Sequence, residues 1–123
     1  MQSPNILVVE DDQFYGTIFQ KKLSLAGYDV VLASDGAQGI AKAKEKRPDL
    51  ILLDLIMPVM DGFETLKELR KDDTLKDIKV IVLSNLGQEA DVEAARQYGI
   101  TDFIVKSNLS IEEMLQVVQK ALH

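Results

Sequence analysis

Residues 48–58 read Pro48-Asp49-Leu50-Ile51-Leu52-Leu53-Asp54-Leu55-Ile56-Met57-Pro58. Leu50 to Leu53 is an apolar run without polar alternation, too short for a helix and of the right length for a strand buried on both faces. Such a strand belongs inside a sheet covered by helices on each side. Asp54 ends the run abruptly, so the strand delivers a carboxylate to the sheet edge. Working outward, four more runs of the same kind occur, at Ile6 to Val9, Asp29 to Ala33, Val80 to Leu83 and Phe103 to Val105.

Each gap between runs is long enough for one helix and carries its own start or stop signals. The first helix is expected from about Asp12–Phe14 to Ala26, with Gly27 free to turn left-handed past its end. Asp35 with Gln38 opens the second, and Pro48 follows its end. Asp61 with Glu64 caps a third that runs to about Lys71, and Gln88 to Tyr98 gives a fourth, stopped by Gly99. Ser110 and Glu113 form a capping box for the fifth, with Leu109 and Met114 as a hydrophobic staple and Ile111, Leu115, Val118 and Leu122 as the buried stripe. Five strands alternating with five helices predict an α/β domain over residues 1–123: a flavodoxin-like, doubly wound parallel sheet with strand order 2-1-3-4-5.

Composition narrows the function. With 20 acidic residues against 14 basic ones, the formal charge of -6 repels phosphate backbones and anionic lipid, which argues against direct binding to nucleic acid or membrane. There is no cysteine, so thiolate metal sites, disulfides and cysteine nucleophiles are all excluded. The start, Met1-Gln2-Ser3-Pro4-Asn5, has no basic segment ahead of its apolar run, and no apolar run approaches the roughly 20 residues of a membrane span. The expectation is a cytoplasmic protein.

In open sheets of this order, sites form outside the carboxyl ends of the strands, where strand order reverses between strands 1 and 3. Reading the residue just past each strand gives Glu10, Asp11 and Asp12, then Asp54, Ser84 and Lys106. Asp12 is read as the cap of the first helix. Glu10, Asp11 and Asp54 then converge, flanked by Ser84 and Lys106. Taken singly, Lys106 reads as a solvated loop lysine and Ser84 as a turn residue; their placement at one edge is what raises them to candidates. Three carboxylates against one ammonium leave an excess that one divalent cation cancels, and an all-oxygen donor set favours Mg2+. The neutralised pocket can receive a phosphoryl group, and a carboxylate can be its nucleophile.

These residues, in this order, resemble the receiver domain of two-component response regulators: Ile6 to Asp12, Pro48 to Pro58 with Asp61-Gly62, Val80 to Ser84, and Asp102 to Lys106. Members of that family are themselves examples of the 2-1-3-4-5 order, so the topology argument and the resemblance overlap. The resemblance implies that Asp54 is the phosphoacceptor, that Asp11 binds Mg2+ directly, that Glu10 does so mostly through water, and that the backbone carbonyl of Ile56 completes the metal set. Ser84 and Lys106 match the hydroxyl and ammonium that hold the phosphoryl oxygens, while Ser84 and Phe103 match the switch positions. The implied donor is a sensor histidine kinase or phosphotransfer protein, docking around Phe14, Tyr15, Ile18 and Ser107. Phe14 and Tyr15 serve equally well as core residues. The output would be a downstream protein target, met by a monomer or weak dimer at the face of the fourth helix, fifth strand and fifth helix. No room follows Leu122 and His123 for an output domain, so the expectation is a stand-alone receiver, or else the leading piece of a larger regulator.

Departures from the family pattern carry information. Glu10 stands where Asp is commoner, Ser84 replaces Thr, and Phe103 has no hydroxyl. Ser107 follows Lys106 where proline is usual; a cis bond without proline costs roughly 2.5 to 4 kcal/mol, which leaves the isomer of this bond open. Ile56 and Leu86, two residues past Asp54 and Ser84, cannot orient an attacking water, which predicts a long-lived phosphoryl group. Among rivals, a flavin site would need small residues where Glu10-Asp11-Asp12 repel phosphate. An aspartyl phosphatase would need an acid at Ile56. A degenerate receiver, binding a partner without phosphorylation, remains the nearest alternative, and no enzyme activity on an outside substrate is expected.

Overall fold

The structure is a computed structural model that describes residues 3–57, 59–85 and 88–123; Met1, Gln2, Pro58 and Leu86 of the motifs above lie outside the described residues. Five strands, β1 (Asn5–Val9), β2 (Asp29–Ala33), β3 (Leu50–Leu53), β4 (Lys79–Ser84) and β5 (Asp102–Val105), form one parallel sheet in the order β2-β1-β3-β4-β5. Five helices separate or follow them: α1 (Gln13–Leu25), α2 (Gly36–Lys46), α3 (Gly62–Lys71), α4 (Glu89–Arg96) and α5 (Ile111–Leu122). The flavodoxin-like α/β architecture is as expected.

Alternation along the buried strands builds two cores, one on each face. Leu7, Val9, Ile51, Leu53, Val80 and Val82 pack with Ala43, Leu66, Leu69 and Ala95 from α2, α3 and α4. Ile6, Val8, Leu50, Leu52, Ile81 and Leu83 pack with Phe19 and Leu23 of α1 and Met114 and Val118 of α5. Met114 and Val118, one turn apart, are the centre of the α5 stripe, with Ile111, Leu115, Leu122 and the staple residue Leu109 along its margins.

The caps follow the expected residues. Asp12 Oδ1 accepts from the Phe14 and Tyr15 N–H groups, Asp35 Oδ1 from Gln38, Asp61 Oδ1 from Glu64 and Ser110 Oγ from Glu113. Several boundaries differ from expectation: β1, β4 and β5 each begin one residue before their apolar runs, at Asn5, Lys79 and Asp102, and the other differences concern α1, the end of β4 and α4. α1 stops at Leu25, with Ala26 as its cap. Ser84 lies inside β4 rather than past it, because its pairing with Val105 of β5 carries the ladder one residue further. α4 is shorter than residues 88–98: Gln88 makes no side-chain cap bond, and the last turn tightens as the Tyr98 and Gly99 N–H groups bond to Ala95 and Arg96. Arg70 of α3 donates to the carbonyls of Tyr98 and Gly99, just past that end, and to those of Lys76 and Ile78 in the connection between α3 and β4.

The β3–α3 connection folds back tightly over the end of β3. The Gly62 N–H donates to the Leu55 carbonyl at 3.0 Å, and a Cβ on Gly62 would stand 2.5 Å from both the Asp54 carbonyl oxygen and the Leu55 Cα. Both obstacles are backbone and cannot rotate away. Gly62→Ala is therefore expected to lower stability by about 1–3 kcal/mol, the usual cost of overpacking. A drop in the urea midpoint at unchanged slope would show it, and an unchanged midpoint would contradict the close approach.

Candidate functional site

The register fixes which side chains meet. Val9 pairs with Leu53, so the next residues, Glu10 and Asp54, stand level on neighbouring strands. Both backbones are tied down there, the Asp54 N–H bonding to Val9 and the Glu10 N–H to Ala33 across the other edge of β1. Ser84 ends β4 and is wholly buried, and Lys106 directly follows its pairing partner Val105. The topology therefore brings the expected residues to the carboxyl edge of the sheet.

Lys106 organises this edge. Its Nζ makes an ion pair with Glu10 Oε1 and donates to Asp54 Oδ2 at 3.2 Å. The second oxygens are also used: Glu10 Oε2 accepts from the Asp12 N–H at 3.3 Å, and Asp54 Oδ1 from the Ile56 N–H at 3.2 Å. Glu10, Asp54 and Lys106 are 7%, 6% and 7% exposed, so this is a buried charge cluster rather than a surface ion pair. Burial raises the Glu10 carboxyl to about 7 despite the Lys106 ammonium beside it, and the nearby Asp54 pushes the same way. For Lys106, burial opposes the charged form, but the hydrogen bond to Glu10 and the charges of Asp54 and Glu10 outweigh it and hold the ammonium above the ordinary lysine value.

Asp11 is exposed at the mouth, and carboxylate oxygens from Glu10, Asp11 and Asp54 lie within 4.8 Å of one another. Three hard oxygen donors converging this closely, one of them open to solvent, fit a hydrated divalent cation. Asp54 lies in a cleft of about 210 Å³ lined by Asp11, Asp12, Tyr15, Ile56, Asn85 and Lys106. Asn85 is a lining residue that sequence reasoning missed; its only signal was its place next to Ser84. Phe103 is half-buried against the core beneath α2, α3 and α4. Phe14 is 68% exposed, so it is not a core residue, whereas Tyr15 and Ile18 pack against the α1–α5 core. The peptide bonds of the described residues are all trans, including Lys106–Ser107, and Lys106–Asn108 forms a single 3-10 turn that no sequence signal announced.

Residues 6–119 match the family model of the response regulator receiver domain. The protein belongs to that family. The DNA-binding dual master transcriptional regulator RpaA of Synechocystis is 40% identical over 119 residues, 97% of this chain but 49% of that protein. This chain thus spans about half the length of the first curated relatives it matches. Chemotaxis protein CheY of Bacillus subtilis is 38% identical over 119 residues, covering 96% of this chain and 97% of that one. The receiver domain of a sensor histidine kinase from Pseudomonas aeruginosa, solved with a magnesium ion coordinated in its active-site cleft, superposes with a TM-score of 0.88 at 30% identity over 98% of each chain. The chain is thus the receiver domain of a two-component response regulator, a class that interacts with histidine kinases and downstream targets. No helix among the described residues is long and apolar enough to cross a membrane.

The receiver's cluster balances two buried carboxylates on one ammonium, so removing the ammonium should be felt in stability. In metal-free buffer, Lys106→Met is expected to lower the unfolding free energy by about 3 kcal/mol, and adding Glu10→Gln should recover part of that loss. A double-mutant cycle by urea denaturation measures the coupling; strictly additive effects would contradict the cluster.

Proposed function

We propose that this receiver accepts a phosphoryl group on Asp54 in a Mg2+-dependent reaction and passes the resulting change to a protein partner. The observation that carries this reading is the cluster itself: Asp54 stands beside an ammonium and within reach of two further carboxylates, in an open cleft. Glu10, Asp11, Asp54 and the Ile56 carbonyl would hold the ion. Bound there, Mg2+ would neutralise the carboxylates and the developing charge of the phosphoryl oxygens.

The remaining work falls to the chain's own side chains. An Asp54 carboxylate oxygen attacks phosphorus, the phosphorus–nitrogen bond of a phosphohistidine breaks, and the imidazole leaves with its electron pair, giving an acyl phosphate. Lys106, already in place, and the Ser84 hydroxyl hold the phosphoryl oxygens. Drawing Ser84 towards them alters the end of β4, and Phe103 on β5 repacks against the core beneath α4, which changes the α4–β5–α5 face. Histidine kinase or phosphotransfer protein would dock over exposed Phe14 and Ser107, with Tyr15 and Ile18 behind. On this reading the chain is a cytoplasmic switch that promotes only its own phosphorylation and dephosphorylation, a monomer or weak dimer that binds protein rather than nucleic acid or membrane.

Incubation with acetyl phosphate and Mg2+ is expected to add one phosphoryl group to the wild type by intact mass, and none to Asp54→Asn or to a chelated sample. Absence of an adduct with both acetyl phosphate and a phosphohistidine donor would overturn the reading in favour of a phosphorylation-independent binding module. The lifetime is a separate expectation. Ile56 at the cleft offers no hydrogen bond to a water, and Leu86 is likewise apolar. The double substitution Ile56→Asn with Leu86→Glu should speed hydrolysis of the acyl phosphate about tenfold or more, by supplying groups that orient the water. Equal lifetimes would refute it.

A further inference from the structure

Lys106 has a third neighbour besides its two carboxylates. Its Nζ lies 4.4 Å from the centroid of the Tyr15 ring, inside the range of a cation–π contact. The ring is not free to drift: it meets Phe14 edge-on at 5.6 Å and the buried Phe19 at 5.8 Å, and the Tyr15 N–H is held by the capping carboxylate of Asp12. Tyr15 also lines the cleft that contains Asp54. One ring therefore joins the α1–α5 core to the ammonium at the reacting carboxylate.

The chemistry of that contact differs from a third hydrogen bond. Glu10 and Asp54 take two of the ammonium's donors in fixed directions. A π-face attracts the charge without demanding one donor angle, so the ammonium can turn a proton towards an incoming phosphoryl oxygen and keep the contact. An aliphatic residue at the same place would give bulk without attraction. We propose that Tyr15 is a positioning residue for phosphoryl transfer: its ring face holds the Lys106 ammonium at Asp54 and so speeds acceptance of the phosphoryl group. This rests on the reading of Asp54 as the phosphoacceptor given above.

The test compares wild type, Tyr15→Phe and Tyr15→Leu, with Asp54→Asn as blank, for the rate of phosphorylation by acetyl phosphate and by a phosphohistidine-bearing phosphotransfer protein. Alongside, NMR follows the ε-methylene protons of Lys106, which the ring current of Tyr15 should move upfield. Tyr15→Leu is expected to react roughly three- to tenfold more slowly with both donors, as loss of one partly desolvated cation–π contact implies. It should also lose the upfield shift. Tyr15→Phe should restore both rate and shift. Slowing with the protein donor alone would make Tyr15 a docking contact and overturn the proposal. So would unchanged rates once the shift is lost, or a Tyr15→Phe variant as slow as Tyr15→Leu. An intact shift in a wild type that takes no phosphoryl group from either donor would locate the failure in the reading of Asp54, and the positioning role would fall with it. If Tyr15→Leu does not fold, Tyr15→Met, flexible and apolar, takes its place with the same expectations.

Discussion

The ammonium of Lys106, held between Glu10 and Asp54, is the constraint around which the functional edge of this fold is arranged. Pairing of Val9 with Leu53 forces two carboxylates to stand level on adjacent strands, and their main-chain bonds keep either from retreating. Buried carboxylates this close repel each other and resist desolvation, so the arrangement needs a counter-charge at hand. It comes from the end of β5, two strands away from β3. A side chain crossing from there to Asp54 must pass the end of β4, where the residue is the small, wholly buried Ser84. Sheet order, the length of the lysine and the size of the serine thus answer one electrostatic problem together.

Much of this was readable from residue types because it depends on local rules. Leu50 to Leu53 needs two covered faces, Asp54 needs an edge, and the caps at Asp12, Asp35, Asp61 and Ser110 satisfy donors within three residues of themselves. A topological rule then gathered Glu10, Asp11, Asp54, Ser84 and Lys106 without a single distance. What escaped depends on contacts between residues far apart in the chain. Arg70 looks like an ordinary basic residue at a helix end, yet it binds four carbonyls beyond α3, and no period or motif encodes that. The end of α4 is different in kind: the Tyr98 and Gly99 N–H groups bond three residues back, and Gly99 then turns to positive φ. Ser84 belongs to β4 only because Val105 stands opposite, and a polar residue ending an apolar run reads as the end of the strand.

Tyr15 marks the boundary between these two kinds of information. Sequence left it open between core and interface, and it is divided: its ring packs on Phe19 and also faces the cleft. A helix position whose neighbours are an aromatic one turn on and an ammonium from the opposite end of the chain cannot be classed by amphipathic pattern alone. The pattern sorts residues into buried and exposed, and Tyr15 is neither.

The glutamate at position 10 makes sense within the same circuit. Its longer arm lets one oxygen meet Lys106 while the other accepts from the Asp12 N–H. Asp12 in turn holds the Tyr15 N–H, and the Tyr15 ring faces Lys106, which closes a loop of four contacts. Each member is fixed by two others, so the ammonium is located from three directions before any ion or phosphoryl group arrives. A shorter acid at position 10 would have to choose between the ammonium and the Asp12 amide, and the loop would open at that link. The substitution of Glu for Asp and the presence of Tyr15 are therefore parts of one arrangement, a preorganised cation beside a carboxylate that would otherwise have no stable place in the fold.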